Sequence, residues 1–186
     1  MIIGLSGYAN SGKDEIARTL VKLDNSFHIK KFASKLKQIA SILTGYPEEM
    51  FEDRVFKSQP LNSAWWKGRK TITGREFLQK LGTECIRDVL HPDAWVNALM
   101  WEYNKPYPNW IITDCRFINE AITIKKYGGI MVRVNRADTY PANTHTSETE
   151  LDYWPFDYVI ENTSSLDELK HNVEIFFNNY TSKRNG

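Results

Sequence analysis

Apolar residues in this chain change period where one element gives way to the next. Met1, Ile2, Ile3 and Leu5 form a short apolar run, the pattern of a strand buried on both faces. After Lys13 the spacing becomes helical, with Ile16, Ala17, Leu20, Val21 and Leu23 on one side. A second strand is predicted over 28–33. The helix after it has Leu36, Ile39, Ala40 and Leu43 inward and stops at Gly45-Tyr46-Pro47. Residues 47–56 have room for one short helix, and 57–70 read as loop. Thr73, with Glu76 three residues on, is a capping box that opens a helix to Leu90, ended by His91-Pro92. Its expected buried side is Phe77, Leu78, Leu81 and Cys85. Asp93 is placed to cap a helix over 94–103 with Trp95, Leu99 and Met100 inward. Further strands are expected at 110–114, 130–135 and 157–160. One helix runs from Asn119 to Gly128-Gly129, and a last one carries Leu166, Leu169, Val173 and Phe176. Five strands alternating with helices imply an α/β fold, a parallel sheet with helices on both faces.

The turn between the first strand and the first helix holds the strongest chemical signal. Gly7 to Lys13 reads G-x-x-x-x-G-K, a P-loop, with Asp14 where Ser or Thr usually stands. Successive backbone N–H groups in such a turn make an anion nest, and the helix N-terminus adds roughly half a positive charge. Gly7 and Gly12 are expected to let the backbone approach a phosphate where a Cβ would clash. Lys13 reaches the β- and γ-phosphates as a point charge. Asp14 admits two roles, an oxygen ligand for Mg²⁺ or a first-turn carboxylate that favours the helix dipole.

Other candidates lie where strands end. Asp114 closes an apolar run, at the place where P-loop enzymes keep the acid that holds Mg²⁺ or its waters. Arg116 could reach a transferring phosphoryl group, or pair with Asp114 structurally. Arg75, Gln79, Thr83 and Arg87, four apart, put two guanidiniums and no carboxylate in one row. That suits an anion; a solvated face beside Glu76 and Glu84 is the alternative. Phe32, Ala33, Lys35 and Lys37 follow a strand's carboxyl end, the ligand edge of open α/β sheets, although the lysines equally suit a solvated surface. Trp65, Trp66, Lys67 and Arg69 could stack a base or roof a core. Residues 136–150 are polar and aperiodic and suit a lid. Arg133 or Arg136 would supply its charge, with His145 as an ordering hydrogen-bond group beside Ser147.

Composition narrows the partners. A chain of 186 residues suits one domain, here 1–186, with an inserted lid. With 24 basic and 23 acidic residues the net charge is +1, so no global field favours nucleic acid or membrane. Cys85 and Cys115 have no metal or redox spacing, as expected of a reducing cytoplasm. The N-terminus lacks the pattern of a signal peptide, and no apolar run approaches the ~20 residues of a membrane span.

Taken together, Gly12-Lys13-Asp14, Phe32-Ala33-Ser34-Lys35-Leu36-Lys37, Leu78-Gln79-Lys80-Leu81-Gly82-Thr83-Glu84, Asp114-Cys115-Arg116-Phe117-Ile118-Asn119-Glu120 and His145-Thr146-Ser147-Glu148 resemble the bacteriophage-type deoxynucleoside monophosphate kinases. The resemblance spreads from residue 2 to about 170. It implies a P-loop NTPase fold with a helical acceptor-binding insertion near 34–104 and a lid near 136–150. It implies transfer of the ATP γ-phosphoryl group to a (d)NMP, giving ADP and a (d)NDP. By the same resemblance Gly7, Ala9, Asn10, Ser11, Gly12, Lys13, Asp14 and Glu15 bind ATP, with Asn162 bordering the adenine. Asp14 and Asp114 hold Mg²⁺. Phe32, Ala33, Lys37, Arg75, Gln79, Thr83 and Arg87 face the monophosphate. Lys13, Arg87, Asp114 and Arg116 serve the reaction centre, and Arg136, His145 and Ser147 belong to the lid. A cytoplasmic monomer or homodimer is implied (host cytoplasm if virus-encoded), without nucleic acid or membrane partners.

Two departures stand out. Glu15 stands where the family usually has Thr, and the lid is short of arginines compared with adenylate kinases, which shifts weight to Arg116 and the helix arginines. Asp157 to Asn162 followed by a helix also looks like dephospho-coenzyme A kinase. A kinase of another small acceptor and a nucleotide-binding switch without transfer chemistry therefore stay open.

Overall fold

The N-terminal apolar run forms β1 (Ile2–Ser6), the central strand of a five-stranded sheet, and all of it is buried. The computed structural model describes residues 1–66, 68, 70–103, 106, 108–141 and 145–185, with backbone alone for 183–185. The remaining strands are β2 (Phe27–Lys30), β3 (Asn109–Ile112), β4 (Ile130–Asn135) and β5 (Tyr158–Glu161). Their order is β2-β3-β1-β4-β5, and every pairing is parallel. β4 covers the residues its pattern predicts. β2 stops at Lys30, three residues before the expected Ala33. At its end the Lys30 carbonyl accepts from Thr113 N–H at 3.2 Å.

Two compact units divide the chain: Met1–Lys31 with Glu102–Gly186, and Phe32–Trp101. In the first, α1 (Lys13–Leu23) and α8 (Leu166–Asn185) cover one sheet face. Ile16, Leu20, Leu169, Val173 and Phe176 pack there on Ile3, Leu5, Val132 and Ile160. The other face takes α6 (Ile118–Lys126). A Cβ at Gly4 would come within 2.6 Å of Ile124 Cδ1 and Met131 Sδ, so the sheet and α6 meet at van der Waals contact there. Among the described residues no helix is long and apolar enough to cross a membrane.

The second unit has its own core of Ala40, Phe51, Leu61 and Phe77. It comprises α2 (Ser34–Thr44), a 3₁₀ turn (Glu48–Phe51), α3 (Arg54–Ser58), a second 3₁₀ turn (Ser63–Trp65), α4 (Gly74–Gln79), a π-helix (Lys80–Arg87) and α5 (Ala94–Met100). Where one short helix is expected over 47–56 there are two pieces, because the Asp53 carboxylate accepts from Phe56 N–H and starts α3 afresh. Trp65 packs edge-on against Phe77 at 5.1 Å and helps roof this core, whereas Trp66 stays exposed with its Nε1 donating to the Leu61 carbonyl. Lys67 and Arg69 lie outside the described residues.

The largest departure from expectation is the helix after Thr73. The capping box forms as predicted, with Thr73 Oγ1 accepting from Glu76 N–H and the Glu76 carboxylate accepting from Thr73 N–H. From Lys80 onward, however, the bonds run i to i+5, as in Asp88 N–H to the Thr83 carbonyl and His91 N–H to that of Ile86. The buried row follows that period. Phe77, Gly82 and Arg87, five apart, point inward, whereas Cys85, expected inward at α-helical spacing, is exposed. Gly82 suits the close approach: a Cβ there would meet Leu36 Cδ2 at 2.8 Å, and Trp95 Nε1 donates to its carbonyl at 2.9 Å. Asp93 sits at the N-cap of α5 without a side-chain capping bond, and α5 ends at Met100, short of the expected Tyr103. The Tyr103 ring packs instead on Trp110 of the first unit at 4.7 Å.

The π-spacing has a simple chemical test. Cys115 is buried, which pushes its thiol well above the usual range, and Cys85 is exposed. An aromatic disulfide reagent at pH 8 is expected to modify one thiol per native chain rapidly and the second only after denaturation. Protection of both thiols would contradict the π-helical register.

Candidate functional site

The P-loop leaves β1 through three residues of positive φ, Gly7 at 155°, Asn10 at 69° and Gly12 at 106°. Space as well as torsion demands glycine at the two ends. A Cβ at Gly7 would lie 2.5 Å from the Val134 carbonyl oxygen, and one at Gly12 would lie 2.6 Å from Asn162 Nδ2. The clash that the sequence assigns to a phosphate is thus already present within the protein. Asn162, buried just past β5, donates from Nδ2 to the Ser11 carbonyl at 2.9 Å and fastens the loop from behind. From the other side Arg136 donates to the Asn10 carbonyl at 3.3 Å. Ser11 is fully buried, and Ala9 is partly exposed. At the head of α1, Glu15 and Ile16 N–H both donate to the Gly12 carbonyl at 3.0 Å. The N–H groups of Lys13 and Asp14 form the open end of the helix dipole. Glu15 turns along the helix to Arg18 at 3.1 Å.

Lys13 folds over this loop. Its Nζ donates to the carbonyls of Gly7 and Tyr8 at 2.6 and 2.7 Å and to Ser11 Oγ at 3.3 Å. Burial, followed by the nearby Arg116 guanidinium, lowers its pKa to about 8, against the opposing pull of Asp14, Glu148 and Asp114. Those groups therefore share one electrostatic neighbourhood. β3 is next to β1, which sets half-buried Asp114 beside the P-loop. Asp14 is exposed, with Oδ1 4.0 Å from Lys31 Nζ. Among the described residues no three His, Cys, Asp or Glu side chains converge into a metal cage. Two carboxylates near a phosphate nest still suit Mg²⁺, which takes one or two carboxylates and completes its octahedron with phosphate oxygens and water.

Arg116 takes Glu148, not Asp114, as its partner. Its NH1 donates to Glu148 Oε1 at 2.7 Å and to the Ser147 carbonyl at 3.1 Å. Glu148 is buried in α7 (Thr146–Thr149), where His145 stands at the N-cap and accepts from Ser147 N–H through Nδ1 at 3.2 Å. The backbone at Arg116 is fixed by buried Glu120, which accepts from the N–H groups of Arg116 and Phe117 at 2.7 and 3.1 Å. Glu120 and Glu148 are the site residues that sequence reasoning missed. Both close motifs that it singled out, but the partner of Glu148 lies 32 residues away and leaves no local trace, and Glu120 reads as one more acid in a helix's first turn. Part of the expected lid, residues 142–144, lies outside the described residues.

The acceptor candidates all belong to the second unit. Phe32, Lys37 and Arg87 are buried, and Ala33, Arg75, Gln79 and Thr83 are half-buried. Lys37 pairs with Glu52 at 2.5 Å, and Arg87 NH1 donates to the Pro92 carbonyl at 3.1 Å. The predicted row of four is not a continuous α-helical face, since Arg75 and Gln79 lie on α4 while Thr83 and Arg87 lie on the π-helix.

Lys13 gives a pH signature whose sign can be worked out. Its folded pKa of about 8 lies below the ordinary 10.5, so between these values the unfolded chain binds more protons. The Lys13 contribution to stability therefore rises with pH across that window. Affinity for a polyphosphate should move the other way, weakening by up to about tenfold per pH unit above 8 as the ammonium is lost. Urea titrations and ATP binding at pH 7.5, 8.5 and 9.5 are expected to diverge in this manner, and Lys13→Met to flatten both trends. Affinity independent of pH would show that the ammonium does not hold phosphate.

Known proteins match both the sequence and the fold. The family model described as deoxynucleotide monophosphate kinase matches residues 34–173. A protein of Acanthamoeba polyphaga mimivirus, assigned by name to the same kinases, is 30% identical over 184 residues, covering 91% of this chain and 92% of its own. The deoxynucleotide monophosphate kinase of Escherichia phage RB69 is 28% identical over 104 residues, 54% of this chain and 43% of its own. Shikimate kinase from Aquifex aeolicus shares the fold, with a TM-score of 0.51, 12% identity, and coverage of 97% of this chain and 98% of its own. With its family model spanning most of its length and a relative aligned nearly end to end, the chain belongs to the deoxynucleotide monophosphate kinase family.

Proposed function

We propose that the chain transfers the γ-phosphoryl group of ATP to a deoxynucleoside monophosphate, giving ADP and the diphosphate. The observation that carries this reading is the shared electrostatic neighbourhood of Lys13 with Asp14, Asp114 and Arg116 at the mouth of a P-loop. A loose phosphoryl-transfer transition state asks chiefly for positioned positive charge. Lys13 exchanges the Gly7 and Tyr8 carbonyls for the β- and γ-phosphates and recovers a higher pKa beside them. Arg116, aimed by Glu148 and Glu120, donates to the transferring group. Asp14 and Asp114 would hold Mg²⁺, directly or through water, and the ion would supply neutralising charge for the β- and γ-phosphates. Gly7 and the residues 9–12 cradle the donor, Asn162 sets that cradle, and Glu15 stays on the helix surface with Arg18. Arg136, His145 and Ser147 order the lid.

In the second unit Phe32, Ala33, Lys37, Arg75, Gln79, Thr83 and Arg87 form the monophosphate site. Arg75 offers a planar fork for bidentate phosphate contact. Lys37 and Arg87 act from buried positions where Glu52 and Pro92 orient them. The chain acts as a cytoplasmic enzyme on small nucleotides.

The test is an acceptor panel with ATP and Mg²⁺, containing the four dNMPs, the four NMPs and dephospho-coenzyme A. At least one dNMP is expected to be phosphorylated. Arg116→Ala should lower kcat by about 10³. Arg75→Ala should raise the acceptor KM about tenfold or more while leaving the ATP KM unchanged. Transfer to dephospho-coenzyme A alone, or hydrolysis without transfer, would overturn this assignment.

A further inference from the structure

Tyr8, the second residue of the P-loop, is not part of the phosphate cradle by its side chain. Its ring lies under the guanidinium of Arg133, 4.8 Å from centroid to Cζ. Arg133 faces Ser6 in the β4–β1 register, where β1 runs into the loop. Its side chain is only 12% exposed, its NH2 donates to Asp152 Oδ1 at 3.1 Å, and the Phe156 ring lies 5.7 Å away. Burial and the same Asp152 carboxylate raise the Tyr8 phenol above its ordinary pKa, which agrees with a closed cluster. The Tyr8 carbonyl is meanwhile one of the two that hold Lys13 Nζ. A continuous line of contacts thus runs from Asp152 to Arg133, to the Tyr8 ring, and through one residue's backbone to the P-loop lysine.

We propose that Asp152, Arg133 and Tyr8 form a brace that holds the P-loop in its phosphate-binding shape, with Arg133 a positioning residue that acts through Tyr8 and not on the triphosphate. Three features favour this over an arginine that reaches the nucleotide. The guanidinium is already neutralised by Asp152. It is largely buried between protein groups. Its flat face is spent on an aromatic ring, a use for which arginine is better suited than lysine. Asp152 follows closely on Glu148, the partner of Arg116. One short stretch of chain therefore orients both the donor loop and the arginine assigned to the transferring group. Pre-forming the loop lowers the ordering cost of donor binding, so the brace should govern affinity for ATP more than turnover.

The inference rests on the assignment of the P-loop to ATP, and direct binding separates the two. Calorimetry with MgATP would be run on the unaltered chain, Arg133→Met, Tyr8→Leu and the double variant, with melting temperatures alongside. Each single change is expected to raise Kd about tenfold, and the double change no further than the worse single one, because both break the same contact. The kcat at saturating ATP should stay within about twofold of the unaltered value. Should Arg133→Met not fold, Asp152→Asn leaves every ring in place and is expected to raise Kd in the same direction. Multiplying losses in the double variant, or a Tyr8→Leu Kd equal to that of the unaltered chain, would mean that Arg133 works independently of Tyr8 and would overturn the brace. Failure of the unaltered chain to bind MgATP would instead remove the ATP assignment itself.

Discussion

A lysine ammonium held inside a turn of backbone, with an arginine beside it, is the interaction on which the rest of this molecule depends. Two cations near one another and partly out of water are costly unless carboxylates surround them and hydrogen bonds saturate them. The chain meets both conditions. Gly7, Tyr8 and Ser11 absorb the donors of Lys13, and Glu148 absorbs an arm of Arg116. Asp14 and Asp114 add negative charge from two directions. Three carboxylates thus surround two cations, and both ammonium and guanidinium keep their charge in a partly buried site.

The sheet order explains why these groups meet. β1 lies between β3 and β4, so the turns leaving all three emerge side by side. One supplies Lys13, one Asp114 and Arg116, and one Arg136, three residues beyond Arg133 inside β4. Parallel pairing sends every strand's carboxyl end to the same edge, where open α/β sheets bind ligands. Asn162, from the fifth strand, reaches the loop from the same edge. The second unit begins just after β2 and has its own apolar core of Phe51, Leu61 and Phe77.

Much of this was legible in the residues. The P-loop, the strands at 2–6 and 130–135, the capping box at Thr73 and the acid closing β3 all announce themselves through local spacing. Three things did not. The partner of Arg116 was invisible because Glu148 is distant in sequence and looks like one more polar residue of a loop. The bond from the Asn162 amide to the Ser11 carbonyl joins residues 151 apart, so no local pattern announces it. The inward row after Lys80 was misjudged because a helical period of 3.6 was assumed, and that period selects Cys85 where the folded chain buries Gly82 and Arg87. Single-sequence periodicity has no means of detecting a change of helix type, since the same residues are compatible with both.

That change of helix type bears on how the chain tolerates insertions and deletions. A π-turn is in effect an α-helix carrying a surplus residue. Loss of one residue between Lys80 and Arg87 would let ordinary i to i+4 bonding return without displacing α4 or the Pro92 bend. A relative shorter by one residue here would keep both its helix and the inward face after the gap, since eight π-helical residues turn about as far as seven α-helical ones. The inward guanidinium would carry a number lower by one, and an alignment that puts the gap outside 80–87 would pair the wrong residues.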